Sequence, residues 1–314
     1  MKLDICIIGV GSIARRHIRN LQEICYLNNI ELHIDALRHS SVYDENESRL
    51  LGIERNYFKF DEIKKVYDVV FITNPTDQHL ETLYKSRDIG KNFFVEKPVI
   101  SYFQLNDFQL DILNKNAIYY VACPLRYNAV VQYIKNNINP CDVISVRSIS
   151  SSYLPEWREG VDYRKTYSAH KKKGGGVSID LIHEWDYLTY LFGKPEKLYS
   201  FIGKKSKLEI DSEDCAIYIA EYLDKFVELH LDYFGRKTLR EIMIFTNNDT
   251  ILGNIAENKI IFLKSGKTID FKEKRDDFQK RELQHFIDII TNNAVNDSDI
   301  NHAIDVLKIT QGEL

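Results

Sequence analysis

Ile5-Cys6-Ile7-Ile8-Gly9-Val10-Gly11-Ser12-Ile13-Ala14 is the stretch on which the fold turns. A short apolar run of strand character meets two glycines and passes into Ile13 to Ile24, whose apolar spacing suits an amphipathic helix. A G-x-G-x-x-A sequence between strand and helix has a mechanical reading. Gly9 permits the tight turn, Gly11 lets the backbone approach a diphosphate, and the small Ala14 lets helix and strand pack closely. Ser12 and Ile13 then offer backbone N–H groups at the positive end of the helix, where phosphate binds.

Outward from that turn, short β-like runs alternate with helical segments. The expected strands are Ile5 to Ile8, Leu32 to Leu37, Tyr57 to Phe60, Val69 to Thr73, Phe93 to Val95 and Ile118 to Ala122. Asp77 to Ile89 and Tyr102 to Asn114 are read as further helices. Such alternation builds a doubly wound parallel sheet with helices on both faces, assigned to residues 1–122. After Arg126 the rhythm changes to a helix to about Ile138, a strand at Ile144 to Ile149, a polar basic loop and a glycine-rich helix start. From Ala216 onward β patterns dominate, and Phe226 to Tyr233 alternates over almost its whole length, so residues 123–314 are read as an α/β domain with a large sheet covered by helices on one face. Closing helices are expected around Phe286 to Ile290 and Ile304 to Leu307, with a cleft between the domains.

The end of the second strand informs the choice of cofactor. An NAD site usually presents a carboxylate there to the ribose hydroxyls, whereas this chain has Arg38-His39-Ser40-Ser41. A guanidinium with adjacent hydroxyls suits a 2′-phosphate and favours NADP(H) over NAD(H). The alternative is that Asp35, inside the strand, holds the ribose.

Two further segments carry chemistry. Glu96-Lys97-Pro98 follows the strand Phe93 to Val95 and so lies at the carboxyl end of the parallel sheet, where ligands of such folds bind. A lysine there can exchange a proton with a substrate hydroxyl. Gly174-Gly175-Gly176 precedes a segment holding Asp180, His183 and Asp186 at successive i, i+3 spacings, which on one helix would share a face. An imidazole with a carboxylate to fix its tautomer is a suitable general acid or base for interconverting carbinol and carbonyl. No third ligand at suitable spacing supports a metal site.

Together, Gly-x-Gly-x-x-Ala followed by His17, Thr73-Asn74-Pro75 with His79, Glu96-Lys97-Pro98, and Gly174-Gly175-Gly176 through Asp180-x-x-His183 resemble the glucose-fructose oxidoreductase/inositol dehydrogenase/rhizopine catabolism (Gfo/Idh/MocA) family. The resemblance runs from residue 9 to residue 183 and implies an N-terminal Rossmann domain and a C-terminal α/β domain with a large, open, mostly antiparallel sheet. It further implies a homodimer or homotetramer through that sheet and a nicotinamide facing a polyol or sugar. Lys97 and His183 would flank the reacting carbon, the Lys97-Pro98 bond would be cis, Thr73, Asn74, Pro75, His79 and Glu96 would line the nicotinamide side, and Arg126, counted with the cofactor-binding residues, would match an arginine-aromatic motif at the domain junction. Many members place the histidine four residues after the aspartate rather than three, which leaves open whether Asp180 or Asp186 orients the imidazole.

Between residues 153 and 173 lies a loop rich in aromatics and cations. Trp157 or Tyr163 could lie against a sugar ring, and Arg158, Arg164 or Lys173 could meet a phosphate, so the expected substrate is an anionic sugar, a sugar phosphate or a nucleotide sugar. The competing reading of the loop is a solvated basic segment docked on a neighbouring subunit. A formal net charge of −4 gives no field for nucleic acid or an anionic membrane surface. Five widely spaced cysteines without a C-x-x-C read as reduced thiols. With no signal-peptide-like or membrane-spanning run, the expectation is a cytoplasmic enzyme. A non-catalytic NAD(P)-binding sensor or assembly subunit, and a reductase of a non-sugar carbonyl, are the alternatives.

Overall fold

A computed structural model describes all 314 residues as two compact units. The first comprises Met1–Ala122 and Gln279–Ile304, the second Cys123–Phe278 and Asp305–Leu314. A single break after residue 122 is thus only part of the division, because residues 279–304, expected in the second domain, return to the first.

In the first unit β1 (Lys2–Ile8), α1 (Ser12–Leu27), β2 (Glu31–Leu37), α2 (Glu45–Leu50), β3 (Ile53–Tyr57), β4 (Tyr67–Ile72), α3 (His79–Ser86), β5 (Gly90–Val95) and β6 (Ile118–Val121) follow in order. The strands form one parallel sheet in the order β3-β2-β1-β4-β5-β6. The order reverses between β1 and β4, the switch point at which doubly wound sheets open a crevice for a ligand. Two local expectations fail. The third strand lies four residues earlier than read, with Ile53 and Tyr57 buried against β2, while Phe58 is left 37% exposed in the turn that follows. Residues 102–114 form short 3₁₀ turns, not an α-helix. Their apolar residues recur at irregular spacing, Phe103 and Leu110 stay exposed, and Asn106-Asp107 are poor helix formers.

The second unit contains α4 (Ala129–Asn137), β7 (Val143–Tyr153), α5 (Val177–Asp180), α6 (Ile182–Phe192), β8 (Lys197–Gly203), β9 (Cys215–Glu221), β10 (Phe226–Asp232), β11 (Phe234–Thr246), β12 (Thr250–Asn254), β13 (Lys259–Phe262) and β14 (Thr268–Asp270). Its eight-stranded sheet, β14-β13-β12-β11-β7-β10-β9-β8, is antiparallel except between β7 and β10. Period-2 alternation sends Ala216, Tyr218 and Ala220 of β9 inward and Ile217 and Ile219 outward. The outward face also bears Tyr199 and Phe201.

Two helices close the chain: α7 (Asp277–Asn292) and α8 (Ile300–Thr310). Leu283, Phe286, Ile287 and Ile289 of α7 join the core of the first unit, where Phe286 packs edge-on to Phe94 at 5.2 Å. Burial of these four side chains explains why the segment returns: each contributes roughly 1.5–3 kcal/mol when removed from water. No helix is long and apolar enough to cross a membrane.

Candidate active site

The turn after β1 is built as its glycines predict. Gly9 adopts φ +89°, and a Cβ there would come within 2.7 Å of the Asn74 Cα at the end of β4, so glycine is needed on both conformational and steric grounds. Thr73 locks the same junction by donating its hydroxyl to the Ile8 and Gly9 carbonyls at 3.0 and 2.8 Å. Gly11 is different. It caps α1 with an extended backbone, and a Cβ on it would meet no atom within 4 Å. No acidic side chain occupies the first turn of α1, and Ala14 is fully buried against the strand. Ser12 and Ile13 open the helix there. Open space over Gly11 and an uncapped positive helix end suit a diphosphate.

Asn74 donates its amide to Thr82 Oγ1 at 2.8 Å, while its Oδ1 is buried with no hydrogen-bond partner. A buried orphan acceptor is costly unless something donates to it, so the residues present fit a hydroxyl- or amide-bearing cofactor. His79 is fully enclosed, its Nδ1 2.9 Å from the Pro98 carbonyl and its Nε2 2.9 Å from the Asn74 carbonyl. Burial pushes the ring below the usual imidazole range. His79 therefore staples the segments that carry Thr73-Asn74-Pro75 and Glu96-Lys97-Pro98, and the Lys97-Pro98 bond is cis. Glu96, expected along the nicotinamide side, places Oε1 2.5 Å from Nε2 of the buried His17 of α1. Burial alone would raise its carboxyl, yet the hydrogen bond and charge of His17, with Lys97 and His79 nearby, hold it below the usual range.

A cavity of about 470 Å³ lies beside this turn, lined among others by Gly9, Leu37, Arg38, Phe58, Asn74 and Pro75. Arg38 reaches it from a nearly buried position. Its Nε donates to Asn56 Oδ1 at 2.6 Å and its Nη2 to Ser48 Oγ at 2.7 Å, and the guanidinium stands 4.6 Å from the centre of the Tyr43 ring. Ser40 is exposed and accepts from the Val42 amide at 3.0 Å. Asp35 is turned away: its Oδ2 accepts from Tyr67 at 2.7 Å and pairs with Lys65 at 3.0 Å.

In the second unit Gly175 is required sterically, and Gly174 and Gly176 sit at positive φ, +79° and +132°. A Cβ on Gly175 would lie 2.2 Å from the Tyr167 carbonyl oxygen, and one on Gly176, at φ +132°, would lie 2.0 Å from Glu213 Oε1. That carboxyl accepts from Ser178 Oγ at 2.7 Å, and burial raises it above the usual range. The helix that follows is not continuous. It breaks at Leu181 (φ −97°, ψ 25°), leaving Asp180 as the last residue of α5 and the half-buried His183 in the first turn of α6. Spacing along one unbroken helix therefore does not relate Asp180 to His183. Asp180 accepts from Tyr233 at 2.5 Å, and both oxygens of Asp186 accept from Arg126 at 2.6 and 2.8 Å. Arg126, expected among the cofactor-binding residues, is only 1% exposed and braces α6 through that buried bidentate pair.

The expected substrate residues divide. Arg164 is neutralised by Asp162 at 2.9 and 3.1 Å and by Glu209 at 3.0 Å, and the Tyr163 hydroxyl accepts from the Glu209 amide at 3.2 Å. Arg158 is exposed and stands 5.9 Å from the Tyr167 ring. Trp157 donates to Ser152 Oγ at 2.9 Å and meets Tyr233 edge-on at 5.2 Å. Tyr167, Tyr233 and Glu213 were not anticipated from sequence. Tyr233 merely ends an alternating strand, and no local pattern marks its partner 53 residues away.

Residues 3–122 match a family model described as "Oxidoreductase family, NAD-binding Rossmann fold", and residues 145–234 one described as "Oxidoreductase family, C-terminal alpha/beta domain". A Bacillus subtilis (strain 168) protein named as an oxidoreductase, YteT, is 24% identical over 147 residues, 45% of this chain but only 34% of that protein, so the match spans about a third of the relative. Among solved structures, levoglucosan dehydrogenase in complex with NADH and levoglucosan superposes with a TM-score of 0.84 at 14% identity, covering 99% of this chain and 96% of that one. The WlbA dehydrogenase from Bordetella pertussis, in complex with NADH and UDP-GlcNAcA, gives 0.80 at 15% identity over 100% and 95%. At such identities the likeness is one of fold. With both family models matched across most of its length, and with the glycine turn, the E-K-P segment and the open mixed sheet in place, the chain belongs to the Gfo/Idh/MocA family of oxidoreductases.

Proposed function

We propose that the protein is an NAD(P)-dependent dehydrogenase or reductase that moves a hydride to or from a carbinol carbon of an anionic sugar, a sugar phosphate or nucleotide sugar, with NADP(H) preferred. The observation that carries this is the cradle in the first unit: space for a close-approaching ligand over Gly11, an uncapped helix end, and the orphan acceptor of Asn74. Arg38 in the adjoining cavity, with Asp35 sequestered by Tyr67 and Lys65, supports the preference for a 2′-phosphate. The nicotinamide, when bound, supplies the hydride chemistry. Gly9, Gly11, Ser12, Ile13 and Ala14 hold the diphosphate, and Thr73, Asn74, Pro75 and His79 shape the nicotinamide side. Lys97 and His183 handle the proton of the reacting hydroxyl, Trp157 packs on the sugar, and Arg158 meets its negative charge. The relatives' names support a sugar substrate, since one is a levoglucosan dehydrogenase and another was solved with UDP-GlcNAcA.

In the same reading the outward face of the C-terminal sheet, with exposed Tyr199, Phe201, Ile217 and Ile219, is covered by a second copy in a homodimer or homotetramer. The five thiols suit the cytoplasm.

The test is a fluorescence titration with NADPH and NADH, then a panel of hexose phosphates and UDP-sugars followed by cofactor absorbance. NADPH should bind more tightly than NADH and at least one sugar should turn over. Equal affinity removes the Arg38 assignment, and full turnover by Lys97→Ala removes the lysine.

A further inference from the structure

Asp180 is nearly buried at the end of α5, and it does not stand alone. Tyr233, which follows β10 and is fully buried, donates its hydroxyl to Asp180 Oδ2 at 2.5 Å. Its backbone is pinned on both sides, the amide donating to the Asp214 carbonyl at 3.0 Å and the carbonyl accepting from the Leu154 amide at 2.9 Å. Tyr167 turns its hydroxyl to the same carboxylate, although its ring is 44% exposed. Burial, then the charge of Asp180, push both phenols well above their usual range, so at working pH both are donors. Glu213 adds a further acidic group near Tyr233, and Arg158 a cation near Tyr167.

The rings of these two tyrosines receive the loop that follows β7. Trp157 meets the Tyr233 ring at 88° and 5.2 Å, and Arg158 stands 5.9 Å from the Tyr167 ring. Each loop residue assigned to the sugar thus rests on a phenol whose hydroxyl holds Asp180.

We infer that Tyr233 and Tyr167 are positioning residues: their hydroxyls fix the Asp180 carboxylate as a permanent acceptor at the entrance to α6, and their rings couple the sugar-binding loop to it. On this view Asp180 orients the His183 imidazole and does not carry the proton. A carboxylate engaged by two phenols is held in one rotamer, and its charge is already satisfied by donors. The inference rests on the function proposed above, adds two residues and assigns Asp180, over Asp186, the orienting part.

The experiment is a kcat-against-KM comparison of Tyr233→Phe, Tyr167→Phe and Asp180→Asn, with NADP⁺ and the fastest sugar of the panel. The Phe variants keep the ring that Trp157 or Arg158 touches and remove one oxygen. Each should lower kcat roughly ten- to hundredfold, as expected for losing a hydrogen bond to a charged group, with KM for the sugar held within about threefold. Asp180→Asn, which keeps an acceptor for Tyr233, should retain measurable turnover, and combining it with Tyr233→Phe should cost less than the product of the two single effects. Unchanged kcat in both Phe variants, or a multiplicative double variant, overturns the inference. So does complete loss of turnover in Asp180→Asn with intact cofactor binding, because that marks a proton carrier. Should Tyr233→Phe fail to fold, Tyr167→Phe, at a half-exposed ring, carries the test. Nicotinamide fluorescence on the wild type separates the two levels: failure to bind cofactor removes the proposed function, whereas normal binding with undiminished kcat in the Phe variants removes only the role of the tyrosines.

Discussion

Gly9 and Gly11 sit two residues apart, and alanine should have opposite effects at them. At Gly9 (φ +89°) a methyl group would stand 2.7 Å from the Asn74 Cα and 2.8 Å from its backbone nitrogen, atoms fixed by the pairing of β1 with β4. Left-handed backbone strain in a non-glycine residue costs roughly 1–2 kcal/mol, and forcing a methyl into a packed junction costs about 1–3 kcal/mol. Gly9→Ala should therefore destabilise the protein by about 2–5 kcal/mol. At Gly11 the backbone is extended and nothing lies within 4 Å of the added carbon, so Gly11→Ala should be neutral or stabilise by up to about 1 kcal/mol through the unfolded chain. If that open space admits the diphosphate, the same methyl should weaken NADPH binding about ten- to hundredfold. Denaturant melts and fluorescence titrations on both variants give the comparison. Wild-type affinity in Gly11→Ala would refute the placement of the diphosphate, and wild-type stability in Gly9→Ala would refute the steric account of the turn.

Replacing Arg38 with Ala should lower NADPH affinity about tenfold or more while leaving NADH nearly unaffected, measured as the ratio of the two dissociation constants. Arg126→Met leaves Asp186 charged and enclosed, and should cost about 3–5 kcal/mol in denaturant unfolding. The carboxyl of Glu96 is held below its usual range, so the stability it contributes is present above the unfolded value near 4.5 and is lost as pH falls through the folded value. Glu96→Gln should accordingly be less stable than wild type at pH 7, with the gap closing below about pH 4.5; a gap independent of pH would contradict the pairing with His17.

The doubly wound half was readable from local pattern, because a buried parallel strand, a phosphate turn and an amphipathic helix each leave a contiguous signature. Ile5 to Ala14 placed the glycine turn, and Glu96-Lys97-Pro98 at the carboxyl end of the sheet and the segment after the three glycines offered Lys97 and His183 as the two proton-handling candidates. The alternation of β10 likewise announced a half-exposed sheet. Misplacement of β3 and of residues 102–114 has one cause: short amphipathic runs without clean periodicity take their conformation from what they pack against.

Partnership was beyond local pattern. Sequence put Asp180 and His183 on one helical face; the chain breaks that helix at Leu181, and Asp180 meets Tyr233, which follows β10. Asp186 went to Arg126, 60 positions earlier, and Glu96 to His17, 79 positions earlier. Residue type and order thus determined which groups the chain can offer: a glycine cradle, a lysine, an imidazole and several carboxylates. Which carboxylate each cation or phenol holds was decided by tertiary structure, since a buried charge must be satisfied by whatever donor the packed sheet brings within about 3 Å, and that proximity is set by strand order across the sheets, not by distance along the chain.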